Sequence, residues 1–170
     1  MYKIKVNNEW VVGEPVDGEL CRLYPISGSD AFVESIYQVE TVIQSYSTAN
    51  EVVKINGYPN DSVRDTYNAK RGESLTLTAD IVDENGDIVT SINSGTSWRM
   101  PIEKILSTGE VRDETKLETT IVNGQCTATL SSFPSGGTWY ISEKRVNQSL
   151  DEIGAPWHIK LTNMKFWVAE

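Results

Sequence analysis

Ser74-Leu75-Thr76-Leu77-Thr78-Ala79-Asp80-Ile81-Val82 is the stretch on which the fold class turns. Leu75, Leu77, Ala79 and Ile81 fall on one side and Thr76, Thr78 and Asp80 on the other, which is the period of two expected of a half-buried strand. Asp83-Glu84-Asn85-Gly86-Asp87 interrupts it with a turn, since Asn85 and Gly86 both tolerate positive φ, and Ile88-Val89 resumes the extended pattern. The same grammar extends outward. Upstream, Val52-Val53-Lys54-Ile55 reads as a strand closed by the turn residues Asn56-Gly57 and Pro59-Asn60-Asp61. Downstream, residues 98–102 and 116–122 are predicted strands. Asn123-Gly124 is a tight turn into Gln125-Cys126-Thr127-Ala128-Thr129-Leu130, and Pro134 with Gly136-Gly137 breaks the chain before Thr138-Trp139-Tyr140-Ile141-Ser142. A last strand is predicted over residues 158–168, and the polar stretch 147–156 before it reads as a surface loop. Seven short antiparallel strands at this spacing describe a sandwich.

Composition agrees. Val, Ile and Thr number 16, 14 and 15, against 9 Leu and 7 Ala. Branching at Cβ restricts χ1 in a helix but packs well on a pleated surface, so an all-β chain is expected. With 170 residues, 39% hydrophobic and 23% charged, the chain can bury a core. Its net charge of −9 argues against binding along phosphate backbones, which relies on clustered Lys and Arg. No run approaches the roughly 18 apolar residues of a membrane span, and Met1-Tyr2-Lys3-Ile4-Lys5-Val6 lacks the apolar stretch of a secretory signal. The chain is therefore expected to stay in the cytosol, with neither nucleic acid nor membrane as a partner. Cys21 and Cys126 have no metal-ligand spacing and are expected to be buried free thiols.

Before the sandwich lies a smaller β-rich unit. Tyr2, Ile4 and Val6 alternate with Lys3 and Lys5, Asn7-Asn8 supplies a turn, and Glu9-Trp10-Val11-Val12 completes a hairpin. Gly13, Pro15 and Gly18 mark a loop before the short strand Leu20-Cys21-Arg22-Leu23-Tyr24. Residues 31–46 fit both a helical stripe (Phe32, Ile36, Val39, Ile43) and an alternating strand (Tyr37, Val39, Thr41, Ile43). The β-branched content favours the strand. Small polar residues at 45–50 suggest a linker, giving an N-terminal anchoring unit over 1–48 and a sandwich domain over 49–170.

Two stretches carry a specific resemblance. The segment from Leu77 through Asp83-Glu84-Asn85-Gly86-Asp87 to Val89 resembles the second-strand signature of bacterial immunoglobulin-like domains of the invasin and intimin type. Asn123-Gly124-Gln125-Cys126-Thr127-Ala128-Thr129-Leu130, followed by Gly137-Thr138-Trp139-Tyr140-Ile141-Ser142, is similar to that family's closing pattern. The likeness covers roughly residues 50–170 and implies an immunoglobulin-like β-sandwich. Such domains occur in bacterial surface adhesins and as modules of tailed-bacteriophage virion proteins. An adhesin must be exported whereas a virion component is assembled in the host cytoplasm. The resemblance alone does not choose between them; with the missing export signal and the small N-terminal β unit it implies a non-enzymatic structural protein of a phage particle, in capsid decoration or in the neck or tail. Other virion proteins would be its partners, in repeated copies. The alternative is a carbohydrate-binding or adhesin module of a phage or bacterial surface, with a glycan as partner.

No residue set argues for catalysis. His158 is the sole histidine, no GxSxG elbow is present, and His158 reads as a partly exposed residue opening the last strand. Asp83, Asn85 and Asp87 have the spacing that begins a calcium loop, but Ile88 and Ser94 stand where that motif needs Gly and Glu, so a turn is expected. Asp30 with Glu34 and Asp151 with Glu152 read as solvated acids, and Lys70-Arg71 and Lys144-Arg145 as solvated charge. No phosphate loop, cofactor or metal site is predicted. Among the five tryptophans, Trp139 is expected in the core, and Trp157, after Gly154-Ala155-Pro156, is the candidate surface contact.

Overall fold

The computed structural model describes residues 2–6, 9–13, 22–25, 37–38, 43–60, 66–94 and 98–170, with side chains from residue 43 onward. The chain forms two compact units, Met1–Ile43 and Gln44–Glu170. In the first, β1 (Tyr2–Val6), β2 (Glu9–Gly13), β3 (Arg22–Pro25) and β4 (Tyr37–Gln38) make a four-stranded antiparallel sheet in the order β2-β1-β3-β4. The hairpin read from the alternation of residues 2–12 is the β1–β2 pair. Its Asn7-Asn8 turn, Cys21, the Asp30 and Glu34 pair and most of residues 31–42 lie outside the described residues.

The second unit contains β5 (Gln44–Ile55), β6 (Tyr58–Pro59), β7 (Thr66–Lys70), β8 (Leu75–Val82), β9 (Arg99–Ile105), β10 (Val111–Val122), β11 (Gln125–Leu130), β12 (Gly137–Ile141), α1 (Glu143–Glu152), β13 (Trp157–Lys160) and β14 (Met164–Ala169). Its strands pair in the order β13-β5-β8-β11-β10-β9-β12-β14-β7, with β6 on β5. One strand links two groups: β10 pairs with β9 from Val111 to Glu118 and with β11 from Glu118 to Val122. The sheet curls on itself, so that its inner residues join one core. Leu75, Leu77 and Ile81 of β8, Ile102 of β9, Leu117 and Ile121 of β10, Trp139 and Ile141 of β12, and Phe166 and Val168 of β14 belong to it. The chain is mostly β, as its β-branched content requires.

Alternation in the segment that decides the fold is visible in burial, with Leu75, Leu77 and Ile81 inside and Thr76, Thr78 and Asp80 half-buried. The turn after it forms, though only Gly86 of the Asn85-Gly86 pair takes positive φ, at +85°: Asp83 Oδ1 accepts from the backbone N–H groups of Asn85 at 2.8 Å and Asp87 at 3.0 Å. Ile88 makes only an isolated bridge to Val82.

Four expectations need correction. The polar residues 45–50 are not a linker but the first half of β5, where Gln44 to Ser47 pair with β13 and Ser47 to Ala49 with β8. Ladder pairing on both edges replaces the hydration that small polar side chains otherwise favour. A bulge follows between Ala49 and Val52, with Asn50 at φ +52° and its amide donating to Asp80 Oδ2 at 2.8 Å. The predicted loop at 147–156 begins inside α1, because Ser142 caps the helix by accepting from Arg145 N at 3.2 Å while Val146 and Leu150 bury one stripe. The single last strand at 158–168 is two, β13 and β14, each joining the sheet elsewhere. Nor is the sheet wholly antiparallel, since β13–β5 and β14–β7 are parallel pairs.

Candidate contact surfaces

His158, Asp151, Glu152, Arg71 and Arg145 are each held in ties within the fold. His158 Nε2 lies 2.6 Å from Asp151 Oδ1, tying the start of β13 to the last turn of α1. Glu152, the neighbour of Asp151, turns instead to Arg145 at 3.1 Å, so the two acids do not face a common cleft. Among the described residues no group of three or more His, Cys, Asp and Glu could hold a metal ion. Cys126 is buried, and desolvation pushes its thiol up to about 12, which keeps it protonated and unreactive near neutral pH. Arg71 makes an exposed 3.2 Å pair with Glu170.

Arg145 corrects the reading of the second basic pair as solvated charge. Its Nε donates to Glu114 Oε2 at 2.8 Å and its Nη2 to Glu114 Oε1 at 3.1 Å, the two-pronged fit of a guanidinium to a carboxylate. Nη1 donates to Glu152 at 3.1 Å, and Glu103 lies 4.0 Å away. The hydrogen bond to Glu114, more than any other cause, raises the Arg145 pKa above its ordinary value.

Arg145 is one of several polar ties from α1. Asn147 acts as a surrogate strand residue, with Oδ1 accepting from Ile159 N at 2.8 Å and Nδ2 donating to Ile159 O at 2.9 Å. Glu143 Oε2 accepts from Leu161 N at 3.1 Å, and Trp98 Nε1 donates to Ser149 Oγ at 3.0 Å. Asn147 and Glu143 thus occupy backbone groups of Ile159 in β13 and of Leu161 just after it, along the kind of edge onto which another strand could otherwise add.

Among the described residues, two solvent-facing surfaces of the sheet differ in character. Over β10, β11 and β8, register places Thr120 beside Thr127 and Thr127 beside Thr78, and in the next row Glu118 beside Thr129 beside Thr76. A groove of about 280 Å³ runs where β10 leaves β9, lined by Arg99, Glu118, Thr120 and Thr127 among others. Over β12, β14 and β7 the registers set out a second lattice. Trp167, 56% exposed, sits at its centre, with Thr138 directly across on β12 and Asn68 across on β7. Lys165 precedes it on β14, between Tyr140 and Thr66, and Lys70 stands beside Ala169. Behind this surface Phe166 stacks on Tyr67 at 5.4 Å, so the lattice rests on packed rings.

Trp157, the sequence candidate for surface contact, is half-buried and meets Trp98 edge to face at 6.4 Å. Among the described residues the exposed tryptophan is Trp167, for which the sequence gives no loop or turn signal. Its signal was parity: if Phe166 and Val168 are inside, Lys165 and Trp167 must be outside. Comparison with protein-family models and with curated protein sequences finds no match to this chain.

Proposed function

We propose that the chain is a non-enzymatic structural protein of a tailed-bacteriophage virion, in which residues 44–170 are an immunoglobulin-like module and the N-terminal β unit attaches it to neighbouring virion proteins. The observation that carries the module is strand order. Taken along the chain, β5, β8, β11 and β10 neighbour one another as strands A, B, E and D of an immunoglobulin sandwich do, and β9, β12 and β14 as C, F and G do. The resemblance of residues 77–89 and 123–142 to invasin-type domains falls on strands B, E and F of this scheme. A rigid module with its reactive-type side chains committed to structural ties suits a contact role, and repeated copies in a particle would make weak single contacts effective.

Antiserum against the full chain, applied to density-banded phage particles, should label them, and deleting residues 1–43 should abolish incorporation while β5 onward stays folded. A chain found only in the soluble lysate, never on particles, would refute the assignment.

A further inference from the structure

The lattice around Trp167 combines three properties. A large aromatic ring stands 56% exposed in the middle of a regular strand whose other face is packed. Asn68, Thr138 and Tyr140 beside it make no side-chain hydrogen bond, and the amines of Lys165 and Lys70 have no carboxylate within ion-pair distance, among the described residues. These uncompensated amines belong to a chain of net charge −9.

We propose that this lattice is a binding site for a carboxylated polysaccharide. A pyranose ring stacks on the Trp167 indole, Asn68 and Thr138 on either side bond its hydroxyls, and Lys165 and Lys70 meet uronate carboxylates along the polymer. Size favours a sugar over a second copy of the chain. The large apolar group on offer is one 56%-exposed indole, at most about 140 Å², whereas one side of a stable protein interface buries about 600 Å² or more, over half of it apolar. Charge favours an acidic sugar over a neutral one, because the unpaired Lys165 and Lys70 amines attract carboxylates at contact distance, while the chain's net charge of −9 is spread over a surface that salt screens beyond about 8–10 Å. The inference does not depend on the virion assignment, since it concerns the surface of residues 44–170 in any setting.

The test is affinity electrophoresis of the full chain through gels containing polygalacturonate or neutral dextran, with near-ultraviolet circular dichroism to verify folding. Polygalacturonate should retard the wild type and dextran should not. Trp167→Ala should weaken retardation about tenfold or more, which corresponds to about 1.4 kcal/mol, and Trp167→Phe should recover part of it. Lys165→Gln combined with Lys70→Gln should weaken binding and remove its salt dependence, whereas Tyr58→Ala, at a 74%-exposed residue on β6, should change nothing. The proposal is overturned if the folded wild type ignores polygalacturonate, if dextran retards it equally, or if Trp167→Ala binds unchanged. It is also overturned if sedimentation shows a dimer that Trp167→Ala abolishes, which would give the surface to self-association.

Discussion

Over β8, β11 and β10 the solvent side is a field of threonines, Thr78 beside Thr127 beside Thr120, whereas over β12, β14 and β7 it centres on one exposed indole with amines at its margin. Both surfaces back onto the same core, so burial did not dictate the contrast. β-Branched threonine is what a strand accepts on its wet face when only propensity acts, because the branched Cβ suits the pleat and the hydroxyl suits water. Trp167 has no such justification, since leaving a large apolar ring in water forgoes the stabilisation that burial brings. A ring left more than half in water and flanked by polar and cationic side chains with no partners of their own among the described residues is the one to connect with binding. The threonine field thus serves as an internal control for the other surface.

The sharpest way to break this contrast is to exchange inside for outside on neighbouring strands. Trp139→Ala, at a fully buried ring bonded through Nε1 to Ser135 O at 3.0 Å, should cost about 3–5 kcal/mol. Trp167→Ala, at the exposed ring, should lie within about 0.5 kcal/mol of wild type. Urea denaturation of both variants measures the difference, and a comparable loss at Trp167 would show that its ring is structural. At the seam between the two surfaces, Arg145→Ala should cost about 2 kcal/mol, because it removes a charge-assisted two-pronged bond that is mostly out of water. A double-mutant cycle with Glu114→Gln should recover most of that loss as coupling, while a cycle with half-exposed Glu152 should show little. The smallest effect is expected on the threonine field: Thr127→Val keeps the Cβ branch and should change stability by less than about 0.5 kcal/mol.

How far the molecule was legible beforehand follows from which forces are local. The strand at Leu75–Val82 and the turns at Asn85-Gly86 and Asn123-Gly124 declare themselves, because alternation and positive φ are properties of adjacent residues. Asn123 does have φ +50°, and a Cβ on Gly124 would come within 2.5 Å of Val89 O, so that turn tolerates little else. The parallel pairs β13–β5 and β14–β7 join residues roughly a hundred positions apart, and nothing in a local window encodes them. Helix α1 leaves little trace in the sequence because its buried stripe is only Val146, Ser149 and Leu150, and its attachment is polar, through Arg145, Asn147 and Glu143. The Gly-Ala-Pro stretch before Trp157 reads as a loop and predicts an exposed ring, yet the strand that Trp157 opens carries it against Trp98. Trp167 could have been found by parity alone, had the last strand been divided correctly.

The passage of β10 from one partner to the other at Glu118 has a consequence for how this unit comes apart. With a single length of backbone stitched into both halves, neither can peel away while the other persists, because losing β9 or β11 leaves half of the same strand without its ladder. Melting of residues 44–170 is therefore confined to one concerted event, in which heat or pulling force leaves the unit whole until it gives way all at once.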